Sequence, residues 1–234
     1  MALVYAHRGG AALRQENTIA AFDHGLSVGA DGLEFDVQLS SDGVVVVHHD
    51  DTLERTTKGT GRVADHTAAA LGRLDVPTLA DVLVRYAGVA MIIEIKVNGE
   101  EIARRVIGEL RKAKAIERSA LGSFYLRPLS AARALEPSLT TGASKQETRG
   151  AFYRALIGWP LGAVPYREFQ VPERSGLTTI VTPRFVRHAH RAGVQVKVWT
   201  VNDADDMRRL LDWGVDALIT DRPDLAAPIV RGRR

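Results

Sequence analysis

Acidic and basic residues alternate with apolar ones in two short segments of the sequence. Glu34 and Asp36 lie two residues apart, and Glu94 and Lys96 repeat that spacing. In a β-strand, side chains two residues apart share a face, and neighbours such as Phe35 point to the other face. Carboxylates that share a buried face repel one another unless cations neutralise them. Because an all-oxygen set suits Ca²⁺ or Mg²⁺ rather than zinc, the spacing predicts a divalent cation site.

The same residues also allow an interpretation without a metal. Lys96 and Arg8 could neutralise the three carboxylates in a buried ion-pair network of purely structural value. Histidines near the same strand ends favour the catalytic interpretation.

Two histidines are the candidates for proton transfer. His7 closes the first predicted strand, and His49 follows a turn signal at Asp42-Gly43. A hairpin at this turn returns the chain beside residues 34–36, so His49 is expected close to the carboxylates. His48 would point to the opposite face of the same segment. Imidazole gives or takes a proton near neutral pH, which suits His7 and His49 to general acid–base catalysis.

These residues must be positioned by an alternation of short apolar runs and amphipathic stretches. Eight such units favour a closed (β/α)8 TIM barrel, in which active sites lie at the C-terminal ends of the strands. Residues 39–77 interrupt the alternation and are predicted as a small insertion after the second strand. We therefore expect one barrel domain over residues 1–234. Asn202 is predicted to cap the helix that begins at Asp203. The predicted strands are 3–6, 33–37, 91–95, 120–124, 139–143, 169–171, 195–200 and 217–220.

Composition excludes several classes of protein. The chain has no cysteine, so disulfides, thiolate metal sites and a cysteine nucleophile are ruled out. The best apolar run, Val89–Ile95, is too short to span a bilayer, and no secretory signal is expected at the N-terminus. A cytoplasmic location follows as the default. The net charge is only +3 and the basic residues are dispersed, so no nucleic-acid partner is expected. The oligomeric state is left open.

A series of short motifs, in order along the chain, resembles the glycerophosphodiester phosphodiesterase family. Each motif is weak alone, whereas the ordered set is highly specific and spans about residues 5–224. Two departures are Gln15, where the family usually has proline, and Tyr125, where an aspartate is common. The motifs include His7-Arg8-Gly9, Glu16-Asn17-Thr18, Glu34-Phe35-Asp36-Val37, His49-Asp50, Arg55-Thr56-Thr57-Lys58-Gly59, Glu94-Ile95-Lys96, Trp199-Thr200-Val201-Asn202 and Thr220-Asp221-Arg222-Pro223.

The resemblance implies a role for each matching residue. His7 and His49 match the family's general acid/base pair, and Trp199 an aromatic of the substrate pocket. The implied metal ligands are Glu34, Asp36 and Glu94, and the implied phosphate-binding cations are Arg8 and Lys96. The implied reaction is hydrolysis of a small glycerophosphodiester to glycerol 3-phosphate and an alcohol, with one Ca²⁺ or Mg²⁺. No stable membrane insertion is expected. Two alternatives stay open: a lysophospholipase D or phospholipase C-like phosphodiesterase acting on lipid substrates, and a non-catalytic metal- or phosphate-binding barrel.

Overall fold

The short apolar runs form eight parallel strands of a nearly closed barrel in this computed structural model, which describes residues 2–233. The strands pair in the order β6–β5–β4–β2–β1–β11–β10–β7. Hydrogen bonds from Arg167 N to Thr141 O (3.0 Å) and from Ala143 N to Glu168 O (2.9 Å) join the two ends. The wall strands are β1 (Leu3–His7), β2 (Gly32–Leu39), β4 (Ala90–Ile95), β5 (Ser119–Gly122), β6 (Thr140–Thr141), β7 (Glu168–Pro172), β10 (Gln195–Trp199) and β11 (Ala217–Thr220), and three short strands lie outside it, β3 (Val45–Val47), β8 (Arg174–Ser175) and β9 (Thr178–Thr179).

The amphipathic stretches form the helices that surround the barrel. Threonine, serine or aspartate side chains cap most of them at the N-terminus. The predicted cap at Asn202 is wrong: the Asp203 carboxylate accepts hydrogen bonds from the backbone of Asp205 and Asp206, and Asn202 binds Asp221 instead. The helices are α1 (Ile19–Ser27), α2 (Ala68–Gly72), α3 (Leu79–Arg85), α4 (Glu100–Lys112), α5 (Leu126–Leu135), α6 (Lys145–Ile157), α7 (Pro183–Arg191), α8 (Ala204–Asp212) and α9 (Pro223–Arg231), with 3₁₀ turns at Val63–Asp65 and Ile116–Arg118.

The core between the sheet and the helices fixes which side chains enter the barrel. Phe35 on β2 and Ile93 on β4 are fully buried in this layer, together with Phe22 of α1. Because neighbours along a strand point to opposite faces, this packing directs Glu34 and Glu94 to the interior. Truncating a core aromatic such as Phe35 costs about 3–5 kcal/mol, so the orientation of the acidic residues is strongly held.

Between β2 and α3 the chain makes the excursion that carries His49. Strand β3 pairs antiparallel with β2, Val47 lying opposite Val37, and Gly43 takes the left-handed conformation (φ 75°) that the turn requires. His48 N donates to Asp36 O at 3.0 Å, so the hairpin returns the chain as predicted. Within residues 2–233, no helix combines the length and apolar character that crossing a bilayer demands.

Candidate active site

One cavity of about 190 Å³ lies at the C-terminal ends of the strands. Strand register sets the level of its acidic residues, because His7 lies opposite Glu34 and Asp36 opposite Glu94. All eight residues singled out from the sequence line it: His7, Arg8, Glu34, Asp36, His49, Glu94, Lys96 and Trp199. Five others also line it: Ile92, Ser123, Phe124, Gln170 and Ile219.

Asp36 is the most heavily bonded carboxylate of the cavity. Its oxygens lie 3.3 Å from Arg8 Nε and 3.4 Å from Lys96 Nζ, and Asn17 Nδ2 donates to it at 3.0 Å. Arg8 and Lys96 therefore form the ion pairs that the metal-free interpretation expects, while both side chains still border the cavity.

Glu34 and Glu94 are less well compensated than Asp36. Arg8 N donates to Glu34 Oε2 at 3.1 Å, and the nearest ion-pair contact of Glu34 is His7 Nε2 at 3.9 Å. Burial raises the pKa of Glu34 to about 7, with repulsion from Asp36 adding to it and attraction from His7 opposing it. Burial likewise raises the pKa of Glu94 to about 8, although Lys96 opposes this shift. Ionising both groups is therefore costly unless positive charge enters the cavity.

The carboxylates of the cavity are chemically suited to a divalent cation, but they do not form a preorganised ligand cluster. In the part of the chain that the structure describes, no three His, Asp or Glu side chains are grouped so that they could hold a metal ion. Asp36 of the predicted set is held by Arg8 and Lys96 in this structure, and metal binding by Glu34, Asp36 and Glu94 stays a prediction. The three carboxylates nevertheless offer only oxygen ligands, and added positive charge would stabilise the ionised forms of Glu34 and Glu94.

His7 is oriented by a carboxylate behind it. Its Nδ1 lies 2.7 Å from Asp221 Oδ1, and its Nε2 lies 3.9 Å from Glu34 Oε2. Asp221 is itself held by Asn202 Nδ2, which donates at 2.7 Å. Burial lowers the pKa of His7, but the charge of Glu34 and the hydrogen bond to Asp221 outweigh burial, and the net shift is upward. Because Nδ1 faces a carboxylate it carries a proton, which leaves Nε2 to act in the cavity.

His49 has a similar arrangement. Its Nδ1 lies 2.5 Å from Asp50 Oδ1, and Asp50 is bound in turn by Arg55. Burial lowers the pKa of His49, and the neighbouring carboxylates of Asp36 and Asp50 only partly oppose that shift. The adjacent His48 points elsewhere, with its Nε2 3.0 Å from Thr52 O. Each cavity histidine thus has one ring nitrogen tied to an aspartate.

A further chain of charges joins the two sides of the cavity. Arg55 donates through two nitrogens to Glu16, at 2.7 and 3.0 Å, and Glu16 accepts from Arg8 Nη1 at 2.9 Å. Although burial alone would raise the pKa of Glu16, these guanidinium groups lower it to about 2. Residues 50–55 of the excursion are therefore connected to Arg8 at the end of β1.

Aromatic side chains form one wall of the cavity. The ring of Trp199 packs edge-on against Phe124, with centroids 5.9 Å apart, and Lys96 Nζ lies 5.7 Å from the Phe124 ring. Phe124 is nearly half exposed at the rim. This wall offers a surface for the part of a substrate that lies beyond the charged groups.

Sequence reasoning missed several of these residues. Glu16, Asp50, Arg55 and Asp221 stand inside the quoted motifs, yet received no role of their own. Their signal is the motif itself, whereas Gln170 had none beyond its position in a predicted strand.

Comparison with known proteins decides the family. A sequence profile of the glycerophosphoryl diester phosphodiesterase family matches residues 7–225. The chain belongs to that family. A glycerophosphodiester phosphodiesterase of Caldanaerobacter subterraneus subsp. tengcongensis is 31% identical, over 98% of each chain. The chain is accordingly a phosphoric diester hydrolase.

Solved structures agree with the fold. A glycerophosphodiester phosphodiesterase of Agrobacterium tumefaciens is 25% identical with a TM-score of 0.80, covering 99% of this chain and 100% of its own. A phosphodiesterase of Oleispira antarctica, in complex with the product sn-glycerol-3-phosphate, is also 25% identical, with a TM-score of 0.81 over 98% and 96% of the two chains.

Proposed function

We propose that this enzyme hydrolyses glycerophosphodiesters to glycerol 3-phosphate and an alcohol, using His7 and His49 as the acid/base pair and one Ca²⁺ or Mg²⁺. The observation that carries the proposal is the placement of both histidines, three carboxylates, two cations and Trp199 around one cavity. The product bound to the Oleispira antarctica relative supports the choice of glycerol 3-phosphate.

The chain's own residues divide the work. The forked guanidinium of Arg8 and the ammonium of Lys96 bind the phosphate oxygens, and to do so they share their charge with Asp36. Nε2 of one histidine accepts a proton from the nucleophile, which is either water or the glycerol 2-hydroxyl by way of a cyclic phosphate that water then opens. The other histidine donates a proton to the leaving alkoxide. Asp221 and Asp50 hold the two rings in the required tautomer.

Glu34, Asp36 and Glu94 would hold the cation. When bound, it supplies positive charge that neutralises the charge developing on the phosphate. The raised pKa values of Glu34 and Glu94 support this assignment, because an added cation favours their ionised forms.

A panel assay tests the proposal. Glycerophosphocholine, glycerophosphoethanolamine and lysophosphatidylcholine are each incubated with the enzyme, with and without a chelator. We expect hydrolysis of the first two, loss of activity with chelator, and recovery on adding Ca²⁺ or Mg²⁺. Cleavage of lysophosphatidylcholine alone would favour a lipid-directed enzyme, and binding without turnover a non-catalytic barrel.

A further inference from the structure

Gln170 extends across the barrel interior toward Glu94. It lies on β7, separated in the sheet from Glu94 on β4 by β5 and β6. Gly122 at the end of β5 and Gly142 directly after β6 lie where it passes. A Cβ on Gly122 would lie 2.2 Å from Gln170 Oε1 and 2.3 Å from Glu94 Oε2, and a Cβ on Gly142 would lie 3.2 Å from Gln170 Cδ. The two glycines therefore leave the space that brings Gln170 and Glu94 together.

A buried ion pair fixes which way the Gln170 amide faces. Lys197 Nζ lies 2.6 Å from Glu168 Oε2, with both side chains almost fully buried. Gln170 Nε2 donates to the other oxygen, Glu168 Oε1, at 2.6 Å. An ionised carboxylate only accepts hydrogen bonds, so the amide NH₂ must face it. Reversing the amide would break a charge-assisted bond and oppose two oxygens. Gln170 Oε1 is thereby directed into the cavity.

When Glu94 is ionised, as a bound cation favours, two acceptor oxygens face one small volume. Gln170 Oε1 and Glu94 Oε2 both lie within 2.3 Å of the position that a Cβ of Gly122 would take. Among the described residues 2–233, the Gln170 side chain is hydrogen-bonded to Glu168 alone. Opposed acceptors are favourable only when a donor or a cation lies between them. A substrate hydroxyl is one such donor.

We propose that Gln170 is a specificity-determining residue whose amide oxygen accepts a hydrogen bond from one hydroxyl of the substrate's glycerol half. The assignment rests on the proposed glycerophosphodiesterase function and names a residue that selects for glycerol. A neutral amide oxygen has no attraction for phosphate, whereas each glycerol hydroxyl brings a proton to donate. A site built around such a bond rejects analogues that lack the hydroxyl, because its acceptor is then left unpaired.

Three phosphocholine diesters test this role. One carries glycerol, and each of the other two carries a propanediol that lacks one of the two glycerol hydroxyls. The wild-type enzyme is expected to prefer the glycerol diester over one propanediol diester by roughly 10- to 100-fold in kcat/KM. Gln170→Leu should lose about the same factor on the glycerol diester and change less than about threefold on that propanediol diester. Gln195→Leu, at the exposed opposite end of the neighbouring strand β10, is the matched control and should keep the wild-type preference.

Two further variants keep the test decisive if Gln170→Leu folds poorly. Gln170→Asn keeps the amide but shortens its reach, and should also lose the preference. The double variant Glu168→Gln with Lys197→Met replaces the buried pair by neutral groups, an exchange that folds often tolerate. It frees the amide to rotate and should weaken the preference.

The outcomes separate this proposal from the one on which it rests. If the wild-type enzyme cleaves none of the three diesters, the proposed function itself fails. If it prefers the glycerol diester and the Gln170 variants keep that preference, the role of Gln170 is overturned and the function stands. Calorimetric titration with Ca²⁺ and with Mg²⁺, without substrate, tests whether Gln170 Oε1 binds a cation instead of a hydroxyl. Unchanged affinity in Gln170→Leu agrees with hydroxyl recognition, and a tenfold loss would assign the oxygen to a cation instead.

Discussion

The neighbouring histidines of the excursion, His48 and His49, lie in different environments. His49 borders the cavity, while His48 is buried and bonded to the backbone of Thr52. We predict that replacing His7 or His49 by alanine lowers kcat at least ~10²-fold, and that the double variant falls far short of the product of the two losses. Steady-state kinetics on glycerophosphocholine provides the measurement.

His48→Ala is the internal control for that series. It should lower the melting temperature, because a buried hydrogen-bonded side chain is lost, yet leave the activity of the folded enzyme near normal. An inactive but folded His48→Ala alongside a fully active His49→Ala would contradict the assignment.

Glu16 is one of the carboxylates that make the free energy of unfolding depend on pH in the acid range. Its pKa is about 2 in the folded protein and near 4.5 when unfolded, so its contribution is complete above about pH 4.5 and is lost as pH falls toward 2. Glu16→Gln should therefore remove on the order of 2–3 kcal/mol at neutral pH, and the two curves should converge as pH falls. Urea unfolding between pH 2 and pH 7 measures this. Glu101→Gln, an exposed carboxylate on α4, should leave the slope unchanged.

Among the elements, the excursion after β2 is connected through Arg55 to Glu16 and Arg8 at the rim of the cavity. The Arg55 guanidinium binds both Asp50 and Glu16. Asp50 in turn holds His49, and Glu16 holds Arg8. We predict that Arg55→Gln lowers kcat about tenfold or more, because the ring of His49 loses its fixed orientation. Its effect should be far from additive with that of Asp50→Asn, since both act through His49.

A matched control separates this role from general stability. Arg85 makes a comparable two-nitrogen pair with Asp23 on the surface and is exposed to a similar degree. Arg85→Gln should leave kcat unchanged. Equal kinetic effects of the two substitutions would show that Arg55 only supports folding.

The regular elements were accessible from the sequence because their signals are local. The two-residue spacing of Glu34 and Asp36 predicted one face, and Asp42-Gly43 predicted the hairpin that returns His49. The cap at Asn202 was mispredicted because Asn202 and Asp203 are both good caps, and a distant contact with Asp221 decides between them. Strand β6 was predicted over residues 139–143 but spans only Thr140–Thr141, which pair with Ala120 and Leu121 of β5.

The site was predictable to a similar depth. Residue types and the family resemblance suggested the eight lining residues, but not the contacts among Arg55, Asp50 and Glu16, which depend on loops meeting in space. A cytoplasmic location and a single domain over residues 1–234 stay predictions from the sequence.

For the whole molecule, closure of the barrel depends on the seam between β6 and β7. Arg133 of α5 holds the β6 side of this seam, where it donates to Thr141 Oγ1, the Gly142 carbonyl and Glu147. We predict that Arg133→Met lowers the free energy of unfolding by about 2–4 kcal/mol, because Glu147 is left poorly compensated. Hydrogen exchange at the Ala143 amide, which bonds to Glu168, should accelerate more than exchange between β2 and β4.

Arg127→Met on the same helix provides the comparison. Its pair with Glu100 is well exposed, so the expected loss is below about 1 kcal/mol. If Arg133→Met and Arg127→Met lowered the free energy of unfolding by similar amounts, the stabilising role assigned to Arg133 at the seam would be wrong.

Gly122 at the end of β5 and Gly142 directly after β6 determine how much room the side chain of Gln170 has beside the cavity. A methyl group at Gly142 would lie 3.2 Å from Gln170 Cδ and would displace that side chain slightly toward the cavity. A methyl group at Gly122 would collide with the oxygens of both Gln170 and Glu94. For protein engineering, Gly142→Ala should therefore change the accepted substrate size slightly, whereas Gly122→Ala should abolish activity. A designer who wishes to admit bulkier diols must widen the opposite wall, at Phe124 and Trp199, because the glycine side is already at its minimum.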